Sequence, residues 1–318
     1  MARVLVSGPL PGTDLSRLYQ MHQVEVGSSP QGLGGDGFRE RLSDHEAIIP
    51  FVTDAIDRAV LDRAPNLRVV ANCGVGVNNI DLALCRERKI VVTNTPNVLT
   101  DATADATMAL ILDACRGVTT GDRLVRKGEW KGWAPTEFLG VRVTGARLGI
   151  VGLGRIGKAV SVRARAFSMV VAYTQRTQLP PPEEQALGVV YTDLETLFAQ
   201  SDIVCLCCPL TPETRGLVSR DRLLRMKKGA VLVNTARGPC VDEEALAEAL
   251  QSGHLFSAGL DVYADEPRIA PALLRCENVV LAPHLASADR PTREAMARIC
   301  IEAVLTVLDG KEPPTRVA

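Results

Sequence analysis

The stretch Arg147-Leu148-Gly149-Ile150-Val151-Gly152-Leu153-Gly154-Arg155-Ile156-Gly157 decides the reading of the fold. Its first five residues make an apolar run of strand length. Its last six fit Gly-x-Gly-x-x-Gly, and a helical pattern follows through residues 158–167. A strand that turns through three glycines into a helix is the context in which this pattern cradles the phosphates of a dinucleotide. Gly152 allows the tight turn, Gly154 lets backbone approach a pyrophosphate, and Gly157 lets the helix pack on the strand. The helix N-terminus adds unpaired N–H groups and a partial positive charge.

Strand and helix patterns alternate in both directions from this loop. Downstream, strands are expected at residues 170–173, 203–206, 230–233, 258–260 and 279–281, with a last helix from about 291 to 308. Upstream, a long helical pattern over 100–116 opens at a Thr-Asp cap. Before it, residues 3–6, 24–26, 47–52, 67–72 and 90–92 read as strands. Asp54 is expected to open a helix through residue 61, and Asp81 one over 82–88. Residues 31–37 read as a glycine-rich loop with no Lys-Ser/Thr after it, hence not a Walker cradle. Residues 180–184, Pro-Pro-Pro-Glu-Glu, read as a surface turn. Such alternation implies βαβ units, mainly parallel sheets and an α/β fold class. At roughly 150 residues per domain, 318 residues imply two domains.

The strand after the glycine loop bears on cofactor choice. An NAD site usually carries Asp or Glu about 20 residues on, bonded to the ribose hydroxyls. Here no acid occurs from Lys158 to Pro182, and the strand runs into Thr174-Gln175-Arg176-Thr177. A ribose 2′-phosphate would be repelled by a carboxylate and held by a guanidinium fork with amide and hydroxyl donors. The expected cofactor is NADP(H), in preference to NAD(H).

Composition narrows the class. Lys+Arg is 36 and Asp+Glu 37, a net charge of −1, which argues against a strongly basic nucleic-acid binder. The chain is 46% hydrophobic and 23% charged, with ample apolar surface for a core. No apolar run approaches membrane-spanning length, and the N-terminus reads as a buried strand rather than a secretory signal. Nine scattered cysteines and four histidines show no metal-ligand spacing, so no metal is expected. The cysteines are expected to be reduced core thiols of a cytoplasmic protein.

Three more motifs each follow a strand: Val233-Asn234-Thr235-Ala236-Arg237-Gly238, Gly259-Leu260-Asp261-Val262-Tyr263-Ala264-Asp265-Glu266-Pro267 and Ala282-Pro283-His284-Leu285-Ala286-Ser287-Ala288. Carboxyl ends of strands are where open α/β sheets bind ligands, so an arginine, a carboxylate and a histidine are expected in one crevice. With residues 72–81 (Asn-Cys-Gly-Val-Gly-Val-Asn-Asn-Ile-Asp), 92–96, 100–105 and 128–133, these motifs make nearly the whole chain resemble the D-isomer-specific 2-hydroxyacid dehydrogenase family, and most of all its glyoxylate/hydroxypyruvate reductase branch. Asn78 stands where that family commonly has Asp, and Ala286 where Gly often follows.

The resemblance implies two Rossmann-like, doubly wound parallel-sheet domains separated by an active-site cleft. Residues 1–99 with a C-terminal return over 286–318 would form the substrate domain, and 100–285 the dinucleotide domain. It implies Arg237 as the substrate arginine, His284 as acid/base and Glu266 as its carboxylate partner. The backbone N–H groups of Val75 and Gly76 would hold the substrate carboxylate, with Val52 and Trp133 near the substrate. Arg155 and Ile156 would sit by the pyrophosphate, and Gln175, Arg176 and Thr177 by the adenosine ribose. Cys208, Pro209 and Thr214 would border the dinucleotide, and Ala236, Arg237 and Asp261 its nicotinamide end. A homodimer is implied, with the 100–116 helix and the Trp130/Trp133 segment as the contact.

Physical chemistry is consistent with these roles. Hydride transfer to a carbonyl carbon develops an alkoxide that needs a proton, and histidine titrates where it can give one. A carboxylate on the other ring nitrogen fixes the tautomer and favours the imidazolium. A guanidinium offers two parallel donors to a carboxylate and stabilises a developing oxyanion. The expected activity is NADPH-dependent reduction of glyoxylate or hydroxypyruvate. The alternatives are a related dehydrogenase of 3-phosphoglycerate, D-lactate or phosphite, and a dinucleotide-sensing, corepressor-like binding protein.

Overall fold

In a computed structural model of the chain, which describes residues 1–12 and 15–318, the strands pair into two parallel sheets. The first contains β1 (Arg3–Val6), β2 (Gln23–Val26), β3 (Ala47–Ile49), β4 (Val69–Ala71) and β5 (Val91–Thr93), in the order β2-β1-β3-β4-β5. Its connecting helices are α1 (Ser16–Met21), α2 (Gly34–Arg41), α3 (Arg58–Leu61) and α4 (Leu82–Glu87). Helices α5 (Thr100–Arg116) and α6 (Val118–Arg126) lead to the second sheet. That sheet contains β6 (Arg147–Val151), β7 (Val170–Thr174), β8 (Val189–Tyr191), β9 (Ile203–Leu206), β10 (Ala230–Asn234), β11 (Leu255–Leu260) and β12 (Val279–Leu281), in the order β12-β11-β10-β9-β6-β7-β8. Its connections carry α7 (Arg155–Ala166), α8 (Pro181–Leu187), α9 (Leu194–Gln200), α10 (Arg220–Arg225), α11 (Glu243–Gln251) and α12 (Pro271–Leu274). The chain closes with α13 (Arg290–Leu308). Residues 1–99 with 288–318 form one unit, and 100–287 the other.

Both sheets bury side chains on two faces, as parallel sheets covered by helices must. In the first unit Val4, Val6, Ile49 and Val69 face Cys300, Ile301 and Val304 of α13. Leu5, Ile48 and Val70 face Phe38, Val60 and Leu84 on the other side. In the second unit Leu148, Ile150, Ile203 and Val231 share one core with Met108 and Ile111 of α5. Val204, Leu206 and Leu232 share the other with Leu246 and Leu250 of α11. Alternate residues of β9 and β10 thus go to opposite cores, the period-two signature of a strand. In the second sheet the order reverses between β6 and β9, the place where open α/β sheets commonly bind ligands at the carboxyl ends of their strands.

Several local expectations are corrected. Residues 31–37 are not all loop, because α2 begins at Gly34. The proline run is not a surface turn: Pro181 and Pro182 open α8, where a missing N–H costs nothing. Strands β3 and β4 are shorter than expected, since Pro50 offers no donor after Ile49, and pairing resumes only as the Phe51–Cys73 bridge. Asp54 does not open a helix. Asp57 caps α3 instead, accepting from the Val60 amide at 3.0 Å.

Asp54 is fully buried and accepts from Ser7 Oγ at 2.5 Å, the Phe51 amide at 2.6 Å and the Gly34 amide at 2.8 Å. It ties the carboxyl ends of β1 and β3 to the start of α2. Each donor stranded by its removal costs about 1–3 kcal/mol. Asp54→Ala is therefore expected to lower the unfolding free energy of the first unit by about 3 kcal/mol or more, and Asp54→Asn by less, measured by urea denaturation.

Candidate active site

The glycine loop performs three separate tasks. Gly152 has φ +92°, and a Cβ there would lie 2.8 Å from the Cys208 backbone. A Cβ at Gly157 would lie 2.3 Å from the Gly152 carbonyl oxygen. At Gly154 a Cβ would meet no atom within 4 Å, so space is open beside the backbone where a pyrophosphate must approach. Gly154 caps α7 without a side-chain acceptor, and Arg155 and Ile156 stand in the helix's first turn. The open space, the uncapped N–H groups and the helix dipole fit a dinucleotide.

The loop after β7 is joined to the glycine loop through Gln175. Its Oε1 accepts from the Leu153 amide at 3.2 Å, and its Nε2 donates to the Thr177 carbonyl at 2.7 Å. Arg176 and Thr177 are exposed. Glu213, on the loop after β9, is held below the ordinary carboxylate range mainly by Thr211, with a smaller contribution from the Arg176 charge. Pro209 and Thr214 meet on that same loop, where Thr214 Oγ1 donates to the Pro209 carbonyl at 2.7 Å. Cys208 is buried where Gly152 packs on it.

Arg237 stands just past β10 on a turn shaped by Asn234. The Asn234 side chain accepts from the Ala236 amide and donates to the Arg237 carbonyl, both at 3.0 Å. The guanidinium is half-buried and donates to the Ala236 carbonyl at 2.6 Å. Burial pulls its pKa below the usual arginine value, opposed by the charges of Glu266 and Cys240. Arginine stays protonated regardless, so the site holds a fixed, partly desolvated positive charge.

Glu266 and His284 meet at 2.7 Å, Oε2 against Nδ1, with side chains 21% and 30% exposed. A carboxylate only accepts, so Nδ1 is the donor, and Nε2 has no partner among the described residues. The other Glu266 oxygen accepts from the Tyr263 amide at 3.0 Å. Burial raises the Glu266 pKa, but the His284 bond and charge, the Tyr263 amide and Arg237 more than offset it and hold it below the ordinary range. His284 has φ +52°, a left-handed conformation rare for a bulky residue. Asp261 holds the backbone just beyond it: its two oxygens accept from the Leu285 and Ala286 amides at 2.7 and 2.9 Å. Burial pushes the Asp261 pKa up, against those two amides and the His284 charge. The structure thus gathers Arg237, Glu266, His284, Asp261 and Ala236 at the ends of β10, β11 and β12.

In the first unit, Val75 and Gly76 follow β4 in a loop braced by asparagines. Asn72 Nδ2 donates to the Gly76 carbonyl at 2.9 Å, and Asn94 Nδ2 to the Val75 carbonyl at 2.8 Å. The amides of Val75 and Gly76 have no partner among the described residues. Val52 packs on this loop: a Cβ at Gly74 would lie 2.2 Å from Val52 Cγ1. Trp133 is not gathered with the others; it is 83% exposed in the irregular segment between α6 and β6 and belongs to none of the apolar cores. The bracing roles of Asn72, Asn94 and Asn234 were not read from the sequence. Asparagine beside glycine signals a turn without saying which carbonyl it will hold.

Known proteins resemble this chain over nearly its whole length. A family model described as D-isomer specific 2-hydroxyacid dehydrogenase, NAD binding domain, matches residues 108–286. A glyoxylate reductase of Thermococcus litoralis is 40% identical over 99% of this chain and 96% of its own length. A solved structure from Thermus thermophilus has TM-score 0.92 and 48% identity, covering 99% of this chain and 100% of that one. An NADPH-dependent glyoxylate/hydroxypyruvate reductase from Sinorhizobium meliloti, solved in complex with NADP and malonate, has TM-score 0.88 and 34% identity, covering 100% and 97%.

The low pKa of Glu266 has a signed consequence. A carboxylate with a depressed folded-state value stabilises the fold fully above its unfolded-state value, and loses that stabilisation as pH falls through the folded value. Glu266→Gln removes the titration. Its unfolding free energy should fall below the parent's at neutral pH, and the gap should close on acidification below about pH 4, as measured by denaturant titrations at several pH values.

Proposed function

This chain belongs to the D-isomer specific 2-hydroxyacid dehydrogenase family, and we propose that it reduces a small 2-keto acid, glyoxylate or hydroxypyruvate, to the 2-hydroxy acid using NADPH. The observation that carries this reading is the 2.7 Å contact of Glu266 with His284 Nδ1, with the Arg237 charge close enough to act on Glu266.

The nicotinamide cofactor, when bound, supplies a hydride to the substrate's carbonyl carbon. Arg237 orients the keto acid by paired donors and stabilises the negative charge that develops on the carbonyl oxygen. The imidazolium of His284 gives that oxygen a proton from Nε2, while Glu266 holds Nδ1 and stabilises the charged ring. Asp261 keeps the left-handed turn at His284 in place. In the first unit, the free amides of Val75 and Gly76 are a donor pair suited to a carboxylate, with Val52 limiting the space beside them. The preference for NADPH rests on Arg176 and Thr177, exposed after β7, and on the lack of an acid in that loop. Glu213 is a carboxylate near enough for the Arg176 charge to affect its pKa.

The same reading takes the protein as a homodimer. The apolar face of α5 is used by its own unit, where Ala104, Met108 and Ile111 are buried. Six of the exposed large apolar residues lie in α6 and the segment after it: Val118, Val125, Trp130, Trp133, Phe138 and Leu139. A second copy covering that surface should give twice the single-chain mass by light scattering; a single-chain mass would overturn the dimer.

Initial rates with glyoxylate, hydroxypyruvate and pyruvate, each against NADPH and NADH, test the activity. His284→Ala should lower kcat by about 10²- to 10⁴-fold. Arg176→Ala should raise KM for NADPH about tenfold, the equivalent of one charge-assisted hydrogen bond, and leave KM for NADH unchanged. A tenfold preference for NADH in the parent would refute the cofactor assignment. Tight dinucleotide binding with no turnover of any keto acid would favour a binding protein.

A further inference from the structure

The loop that carries Glu266 is mostly in solvent. Ala264, Asp265, Pro267 and Arg268 are exposed, and the loop's own bonds are local, Asp265 pairing with Arg268 at 2.7 Å. Such a loop does not by itself keep a carboxylate at hydrogen-bond distance from a histidine on another strand end. The loop does, however, pack on the segment after β10. A Cβ on Gly238 would lie 1.8 Å from the Tyr263 carbonyl carbon and 2.3 Å from the Ala264 nitrogen, so the Tyr263–Ala264 peptide rests directly on Gly238.

Glu243 grips the same peptide. It is the first residue of α11, whose N-terminus is already capped by Asp242, accepting from the Ala245 amide at 3.0 Å. The Glu243 side chain is half-buried and turned to the loop, where Oε1 accepts from the Ala264 amide at 2.6 Å. The Ala270 amide, at the loop's far end, lies near enough to favour the charged form of Glu243. Burial raises the Glu243 pKa, with smaller contributions from the like charges of Glu244 and Glu266. A like charge held this close to Glu266 lowers neither group's energy by Coulomb attraction; what it supplies is a backbone hydrogen bond to the Ala264 amide.

We propose that Glu243 is a positioning residue for the Glu266–His284 pair, fixing the Ala264 end of the 264–270 loop so that the Glu266 carboxylate stays on His284 Nδ1. The chain of contacts is short. Glu243 holds the Ala264 amide, the Tyr263 amide holds one Glu266 oxygen, and the other Glu266 oxygen holds the imidazole. The kinetic part of this proposal rests on the reading of Glu266 and His284 given above; the geometric part does not.

The test uses the full chain with Glu243→Ala and Glu243→Gln, beside Glu266→Gln and His284→Ala. A crystal structure of Glu243→Ala should show the Glu266–His284 distance lengthened beyond about 3.5 Å or the carboxylate disordered, and one of Glu243→Gln a smaller change. Kinetically, Glu243→Ala should lower kcat about tenfold or more, the cost expected of a small misplacement. KM for glyoxylate and NADPH should change less than about twofold, and the pH–rate profile should move in the direction given by Glu266→Gln. Glu243→Gln, which keeps one acceptor, should fall between parent and Glu243→Ala. A Glu243→Ala structure with the 2.7 Å contact intact overturns the proposal. So does a fall in kcat that comes with lost thermal stability and an unmoved pH profile. Parent-like rates in His284→Ala and Glu266→Gln would instead refute the reading of the site, and the crystallographic result would still decide the role of Glu243.

Discussion

The contact between Glu266 and His284 makes demands on the structure around it. A carboxylate must be partly removed from water, yet stay charged, and it must face one ring nitrogen while the other is left unpaired. Burial alone would favour protonation. The Tyr263 amide, the imidazole and the Arg237 charge reverse that tendency, so the net shift is downward. Much of the neighbouring backbone is arranged to keep those groups in place: Asn234 shapes the Arg237 turn, Asp261 holds the residues after His284, and Gly238 and Glu243 carry the Glu266 loop. Three of these supports are polar side chains that bond to backbone rather than to one another, which suits a site built on irregular segments between rigid strands.

The glycine loop shows the opposite strategy, function through the absence of side chains. Gly152 and Gly157 lack side chains because protein atoms occupy that space, whereas Gly154 lacks one where no protein atom lies within 4 Å. The distinction separates two packing glycines from one that leaves open space beside the backbone. Gln175 then links this loop to the segment carrying Arg176, so the two loops are braced as one.

Much of the architecture was legible in the chain. The apolar runs at strand spacing, the capping residue Asp81, and the glycine pattern are local signals, and local signals read well because backbone preference and periodicity act over a few residues. The misread segments share a cause. Asp54 has the composition of a helix cap, but its three donors come from residues 7, 34 and 51, and no window around residue 54 contains them all. The proline run at 180–182 looks like a turn until α8 is seen to need no N–H there.

What the sequence determined by itself is the set of chemical groups and the strand ends that carry them: three glycines after β6, an arginine after β10, three acids after β11, a histidine after β12. Only the tertiary structure decided their division of labour. Asp261, Asp265 and Glu266 lie within six residues, yet one holds backbone amides, one pairs with Arg268, and one meets the imidazole. Their chemistry is nearly the same. Their roles differ because strand register and loop path set which donors lie within about 3 Å of each oxygen, and hydrogen bonds weaken steeply beyond that range.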